Sequence, residues 1–355
     1  MIGISDTAAA AQSPDPNAAA RPTSPADSSP PSSSAQSQRP SASAAKRHAS
    51  AELDLDVGMI YTNDAHYMTP LVQSMACSGD GLKMRLILVD NASTYGVETW
   101  GEPFERTTII KNTKRLGYAP NLNRILAASE ARYVLLLNTD MYFDPQQQTL
   151  ANMTAFMDRN PTCGLSVCRV LHPDGSEGYS ARRFPTWRSI VSRRLSRAHL
   201  FPHALHEHLY LDRDLTSSFA CDWVSGCFMM IRTEAIASVG NFDLGFVKYF
   251  EDVDFSLRMA LAGWQVMYHG ETHCFHHEQR ASARLFSSDA WRHCRSYARW
   301  LRKWTLRGGY LSRAQEAQSA IDCVPSTDIA TEAPRPHWAA SNRSAASIPG
   351  ERSRV

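Results

Sequence analysis

No aromatic residue occurs before Tyr61, and the first roughly 50 positions are mostly Ala, Ser and Pro with scattered charges. So little apolar bulk cannot offset the entropy of ordering a chain, and residues 1–54 are expected to be disordered. The stretch 311–355 is similarly poor, with several prolines and a lone aromatic, Trp338. It is expected to be a disordered tail, which leaves 55–310 as one domain with a substantial core. The eight cysteines include no Cys-x-x-Cys pair. That argues against a disulfide framework and predicts buried reduced thiols in a cytoplasmic protein. No apolar run approaches the ~18 residues of a membrane span, and no signal-type stretch opens the chain. A soluble protein is expected, or one attached peripherally at the inner face of a membrane. The net charge of +2 indicates no partner by itself. Nucleic acid is not expected, because no segment resembles a recognition module.

What the chain does contain is a series of short apolar runs, each ending in polar residues. Val57 to Tyr61 leads into Thr62-Asn63-Asp64, and Arg85 to Val89 into Asp90-Asn91-Ala92-Ser93. Thr108 to Ile110 leads to Lys111-Asn112, and Tyr133 to Leu137 to Asn138-Thr139-Asp140. Helix-length stretches separate them, at about 69–78 and 119–130. Continuous apolar strands alternating with helices predict an α/β domain whose mostly parallel sheet is covered on both faces. Ligands of such sheets bind at the carboxyl ends of the strands, where Asn63, Asp90, Asn91 and Asp140 would meet. Further on, helices are expected near 147–158, 252–262 and 289–305, a loop at Pro173-Asp174-Gly175 and a strand at Gly226–Arg232.

Four clusters carry candidate chemistry. Asp140, at a strand end, could hold a divalent metal on a nucleotide diphosphate, or could cap a turn. Glu251-Asp252-Val253-Asp254 follows an aromatic stretch, where crowding would raise one carboxyl pKa and make a base. The same carboxylates would suit a helix amino terminus, and both roles are compatible. His273-Cys274-Phe275-His276-His277 has no second ligand pair and so does not read as structural zinc. One of its histidines could complete the metal site begun by Asp140. Arginines recur through 182–197 and, with Trp291, Tyr297, Trp300 and Trp304, through 291–306. Such basic amphipathic segments could lie on an anionic membrane, grip a lipid diphosphate, or form solvated helix faces with a packed core side.

The order of these stretches resembles the family-2 inverting glycosyltransferases with a GT-A fold. Within them it is similar to the rhamnosyltransferase-like branch that builds bacterial cell-surface polysaccharides. The residues that carry the likeness are Ile60 to Asn63, Val89 to Thr94, Asn112 to Asn123 and Leu135 to Asp140. They continue with Asp222 to Gly226, Gly240 to Asp243, Tyr249 to Asp254, Gly263-Trp264 and His276. The resemblance implies a GT-A, Rossmann-like, mostly parallel sheet flanked by helices. It implies that Thr62, Asn63 and Asp90 hold the nucleoside of a nucleotide-sugar donor, with Asn91 near it and Asn121 at the donor pocket. Asn138 would stand at the diphosphate, and Asp140 would bind Mg²⁺ or Mn²⁺ with His276 as a further ligand. Trp223, Gly226 and Glu251 would shape the acceptor side, and Asp252 would deprotonate the acceptor hydroxyl. The branch implies dTDP-L-rhamnose as donor, a saccharide or lipid-linked saccharide as acceptor, and a peripheral membrane contact through 289–305. The chain departs from the family pattern at Asn63, at Thr139 and at Gly270, the last two standing where proline is common. His273 and His277 leave the ligand histidine open. A nucleotidyltransferase on a related fold and a non-catalytic nucleotide-sugar-binding protein are the alternatives; neither needs an acceptor base.

Overall fold

The computed structural model describes residues 53–79, 81–94, 97, 104–194, 200–277 and 288–304. The terminal segments expected to be disordered lie outside these residues, except for Leu53 and Asp54. Those two belong to the folded domain: Leu53 is buried, and Asp54 accepts a hydrogen bond from Arg132 at 2.9 Å.

The central apolar runs form strands because both of their faces are covered, whereas the edge strand is only half-buried. Strand β1 (Leu55–Tyr61) lies between β2 (Met84–Asp90) and β4 (Tyr133–Leu137) and is parallel to both. Strand β3 (Arg106–Lys111) extends the parallel set beyond β2. Helices α1 (Ala65–Ser78) and α2 (Tyr118–Ala128) make the crossovers that parallel pairing requires. Strand β1 also contains a fully buried charge, Asp56, which needs partners there. It accepts hydrogen bonds from Arg85 Nε (2.7 Å) and Nη2 (2.9 Å) and from the Glu130 and Ala131 amides (2.7 and 2.9 Å). Four donors compensate the buried carboxylate and tie three segments of the parallel half together.

The chain then passes through β5 (Met141–Tyr142), α3 (Thr149–Arg159), β6 (Cys163–Leu171), β7 (Ala181–Arg182), α4 (Trp187–Arg194), α5 (Pro202–His208), β8 (Phe219–Ala220) and β9 (Trp223–Val224). It closes with β10 (Phe228–Arg232), α6 (Thr233–Val239), α7 (Glu251–Leu261), β11 (Gln265–His276) and α8 (Ser288–Trp304). The main sheet runs β3-β2-β1-β4-β10-β6-β11-β5, with β8 on β11, and β7 pairs with β9 separately. Parallel order holds through β3-β2-β1-β4 and again for β6 with β11; β10 enters antiparallel between the two sets. Chain order reverses between β1 and β4, so a crevice opens beyond the ends of those two strands.

Two of the longest strands, β6 and β11, had no counterpart among the expected elements. Strand β6 mixes Cys, Gly and Ser with its apolar residues. Strand β11 shifts register between His269 and His273, so no strict alternation can be read along it. Gly270 lies in that irregular stretch. A Cβ there would sit 2.5 Å from the Leu215 and Ser217 carbonyl oxygens, which excludes any side chain, including the proline expected from the resemblance. The expected strand at Gly226–Arg232 begins at Phe228, and the first helix begins at Ala65.

Five of the described cysteines are buried and free, as expected, but Cys77 and Cys294 are exposed and Cys323 lies outside the described residues. A second apolar cluster, separate from the main core, joins Phe184, Trp223, Phe246, Phe250, Val253, Leu257 and Trp300. The expected packed side of the last helix is therefore present, and Trp300 is its fully buried centre.

Candidate functional site

A cleft of about 370 Å³ opens at the carboxyl ends of β1 and β4, lined among others by Thr62, Asp64, Tyr118, Asn138, Asp140 and Lys248. The end of β1 turns sharply because Asn63 adopts a left-handed backbone (φ 66), which Asn tolerates better than most residues. Asp64 stabilises the turn by accepting the Thr62 amide at 2.8 Å. The Asn63 side chain accepts the Thr94 amide at 2.7 Å and so joins the ends of β1 and β2. Asp90 likewise accepts the Ser93 amide at 2.8 Å.

Asn91 and Asn121 lie deeper than expected. Asn112 donates to Asn91 at 3.0 Å and to Asn121 at 2.7 Å. Asn91 also accepts the Leu116 amide at 2.8 Å, and Asn121 donates to the Gly117 carbonyl at 3.0 Å. Asn91 and Asn121 are buried, so this knot of three amides braces the loop 112–117 beneath the site.

Asp140 follows β4, and the pairing of β5 with β11 brings His276 against it. Their Nε2 and Oδ1 atoms are 3.1 Å apart, and the His277 amide donates to the Asp140 carbonyl at 2.9 Å. Burial opposes charge on His276, but the adjacent Cys227 and Asp140 outweigh it and raise the imidazole to about 10. His273 instead contacts the Gln147 amide through Nδ1 at 2.9 Å, and the His277 ring lies tilted against Tyr67 with centroids 5.9 Å apart. The structure thus selects His276 among the three histidines as the partner of Asp140. Among the described residues no group of three or more His, Cys, Asp or Glu side chains is arranged around a common point for a metal.

On the opposite side, α7 starts at Glu251 after two consecutive aromatic residues in the left-handed region, Tyr249 and Phe250 (both φ 70). Such backbone costs roughly 1–2 kcal/mol per residue and must be held by its surroundings. The Phe250 ring is packed against His293, Tyr297 and Trp300 of α8, which supplies that hold. The forced entry aims Asp252: its Oδ2 accepts the Gly226 amide at 3.0 Å and its Oδ1 the Val253 amide at 2.9 Å. Burial raises the proton affinity of Asp252 against these amides. Glu251 is more deeply buried, and its Oε2 has no partner; burial first, then the Asp252 charge, lifts it to about 8. Asp254, fully buried, is structural: Arg258, Lys303 and Trp304 all bind it.

Tyr118 connects the two sides. Its hydroxyl lies 3.1 Å from Asn138 Oδ1 and 3.0 Å from the Gly226 carbonyl, and the Gly226 amide is the group that holds Asp252. Burial and the neighbouring carboxylates, Glu251 foremost, push the phenol pKa well up, so it remains a donor. Trp223 is buried and donates its indole N–H to the Arg183 carbonyl at 2.9 Å. Asp64, Tyr118 and Lys248 were not among the expected site residues. Asp64 directly follows the Thr62-Asn63 pair, and its second oxygen reaches the Thr139 hydroxyl beside Asp140.

Comparison with known proteins fits this arrangement. A model of glycosyl transferase family 2 matches residues 56–240, more than half of the chain. A glycosyltransferase (GlcNAc) model matches residues 169–335. The N-acetylglucosaminyl-diphospho-decaprenol L-rhamnosyltransferase of Mycobacterium tuberculosis (strain ATCC 25618 / H37Rv) is 27% identical over 258 residues, covering 64% of this chain and 81% of that protein. The rhamnosyltransferase WbbL of Escherichia coli (strain K12) is 25% identical over 170 residues, 48% of this chain and 61% of its own. Among solved structures, GalNAc-T7 with UDP, GalNAc and Mn²⁺ superposes with a TM-score of 0.51 at 13% identity, over 76% of this chain and 55% of that one. That likeness bears on the fold alone, a mixed α/β GT-A arrangement. The strand ends, the Asp140–His276 pair and the Asp252 helix start thus stand in a chain that belongs to glycosyl transferase family 2 and is a glycosyltransferase.

Proposed function

We propose that the protein is a metal-dependent inverting glycosyltransferase. One observation carries the reading: Tyr118 links the Asp140 side of the cleft to Gly226, whose amide fixes Asp252. In the reaction, Asp252 accepts the proton of an acceptor hydroxyl. The hydroxyl oxygen attacks the anomeric carbon as the bond from that carbon to the diphosphate breaks. The nucleoside diphosphate leaves with the bonding electrons, and the configuration inverts. Thr62, Asn63 and Asp90 would hold the nucleoside; Asn91 and Asn121 would act by bracing the loop beneath it. Asn138 would stand at the diphosphate, and Trp223, Gly226 and Glu251 at the acceptor.

The donor set of one carboxylate and one imidazole, the latter giving up its proton on binding, fits Mn²⁺ or Mg²⁺ that completes its coordination with diphosphate oxygens and water. When bound at Asp140 and His276, such an ion would neutralise the charge developing on the leaving diphosphate. The names of the mycobacterial and E. coli relatives support rhamnose as the sugar, the mycobacterial one as its L-form; the donor proposed from the family resemblance is dTDP-L-rhamnose. The mycobacterial name supports a lipid-linked saccharide as acceptor. Purified protein with Mn²⁺, offered a panel of nucleotide sugars and saccharide acceptors, is expected to release a nucleoside diphosphate and a β- or α-inverted glycoside. Release of inorganic diphosphate would point instead to nucleotidyl transfer, and ligand binding without turnover to a pure binding protein.

No helix among the described residues is long and apolar enough to cross a membrane. Helix α8 nevertheless presents an outer face with Trp291, 72% exposed, beside exposed Arg292, Arg295 and Arg302. We assign this face to contact with an anionic membrane surface, where each basic residue contributes about 1 kcal/mol. Vesicles containing anionic lipid are expected to bind the protein, and R292E/R295E to weaken that binding by about tenfold or more. Equal, negligible binding to neutral and anionic vesicles would refute the contact.

A further inference from the structure

Arg182 stands outside the lining of the cleft, on the strand that pairs with the one leading to Gly226. It is the second residue of β7, and the antiparallel pairing with β9 sets it opposite Trp223. Its guanidinium carbon lies 5.0 Å from the centre of the Trp223 ring, which is only 6% exposed. Three residues after Trp223 comes Gly226, whose amide holds Asp252 at 3.0 Å. The Arg182 charge reaches Asp252 and favours its ionised form. It also reaches buried His208, where burial first and then Arg193 and Arg182 keep the imidazole neutral. The result is a single guanidinium charge within electrostatic reach of the base, held by a backbone pairing and an aromatic stack.

A cation at this place works against proton abstraction, because it lowers the proton affinity that burial raises. The opposition makes sense if the charge is meant for a substrate group. A guanidinium stacked on an aromatic face is pre-oriented, and its planar fork matches a phosphate better than a lysine would. The donor diphosphate is already provided for on the other side, where Asp140 and His276 meet. We propose that Arg182, laid on Trp223 next to the strand that leads to Gly226, binds a phosphate or diphosphate carried by the acceptor. The assignment rests on the reading of Asp252 as the base and places the anionic end of the acceptor on the β7–β9 side.

Two probes test it: N-acetylglucosaminyl-diphospho-undecane, and undecyl N-acetylglucosaminide, which has the same sugar and tail without the diphosphate. Binding by calorimetry without donor, and kcat/KM with donor, would be measured for the wild type, Arg182→Gln and Arg182→Lys. The melting temperature of each variant checks its fold. The wild type is expected to prefer the diphosphate probe, and Arg182→Gln to reduce that preference by about 10–100-fold, the worth of a charge-assisted contact. Arg182→Lys should lose part of it. Equal losses on both probes, with a displaced acid limb in the pH profile, would show that Arg182 acts on Asp252 and overturn the proposal. Weakened binding of dTDP with Mn²⁺ would move the arginine to the donor and overturn it as well. If neither probe is turned over but diphosphate binding still depends on Arg182, the subsite stands and the transfer reaction is what fails. An unfolded Arg182→Gln leaves the Arg182→Lys comparison to decide: no change in preference overturns the proposal.

Discussion

Asp252→Asn is expected to lower kcat for sugar transfer by about 10²–10⁴-fold, the usual contribution of a general base. The nucleotide should still bind with its wild-type affinity. The variant is close to isosteric, and its amide oxygen can still accept the Gly226 N–H that Asp252 accepts at 3.0 Å. The helix start should therefore survive, and near-wild-type thermal stability would show that it does. Glu251 does not take over the task. Burial and the Asp252 charge lift it to about 8, so it carries its proton through most of the neutral range and does not remove one from the acceptor. Steady-state assays with a saturating donor, paired with calorimetric titration of dTDP, separate loss of chemistry from loss of binding. Undiminished turnover in Asp252→Asn would exclude this carboxylate as the base.

The second large effect is expected at Asp140. Replacing it with Asn should abolish the metal-stimulated part of nucleoside diphosphate binding and lower kcat/KM by about 10²–10³-fold. That corresponds to the several kcal/mol a metal contributes to charge neutralisation. Asn keeps a neutral oxygen near His276 but removes the negative charge that holds a divalent ion. His276→Ala should act in the same direction. His273→Ala should leave the metal response intact, because that ring is engaged with Gln147 rather than with Asp140. Titration of Mn²⁺ in the presence and absence of dTDP gives the readout. A metal response preserved in Asp140→Asn would place the ion elsewhere.

The parallel half of the fold was legible because buried parallel strands are continuous apolar runs, and the polar residues that end them are the ligand-facing ones. Asn63, Asp90, Asn91 and Asp140 follow from that rule, and the roles of Thr62 and Asn138 come with the family resemblance. The second half resisted the same treatment. Strand β11 carries polar residues and a register shift, and β6 is broken by Gly and Ser, so neither shows a strand period. The family resemblance places Asn91 near the nucleoside and Asn121 at the donor pocket. Their burial in a knot with Asn112 came from a loop whose path no local pattern encodes. Asp64 and Tyr118 lay inside the quoted motifs but gained significance only when distant partners, Thr139 and Gly226, came against them.

By itself the sequence determined the class of fold, the family, and the order Asp90, Asp140, Asp252, His276 along the chain. These depend on local composition and on motif order, which sequence carries directly. Tertiary structure decided which histidine meets Asp140, because a register shift in β11 sets the direction of each side chain after it. It also decided that the aromatic and basic last helix is first a clamp. The Trp300 side of α8 packs on Phe250 and holds the strained approach to Asp252, while Trp291 and the outer arginines are among the residues left exposed. Contacts of that kind join residues some fifty positions apart, and they exist only once the main sheet has brought both segments to one edge of the site.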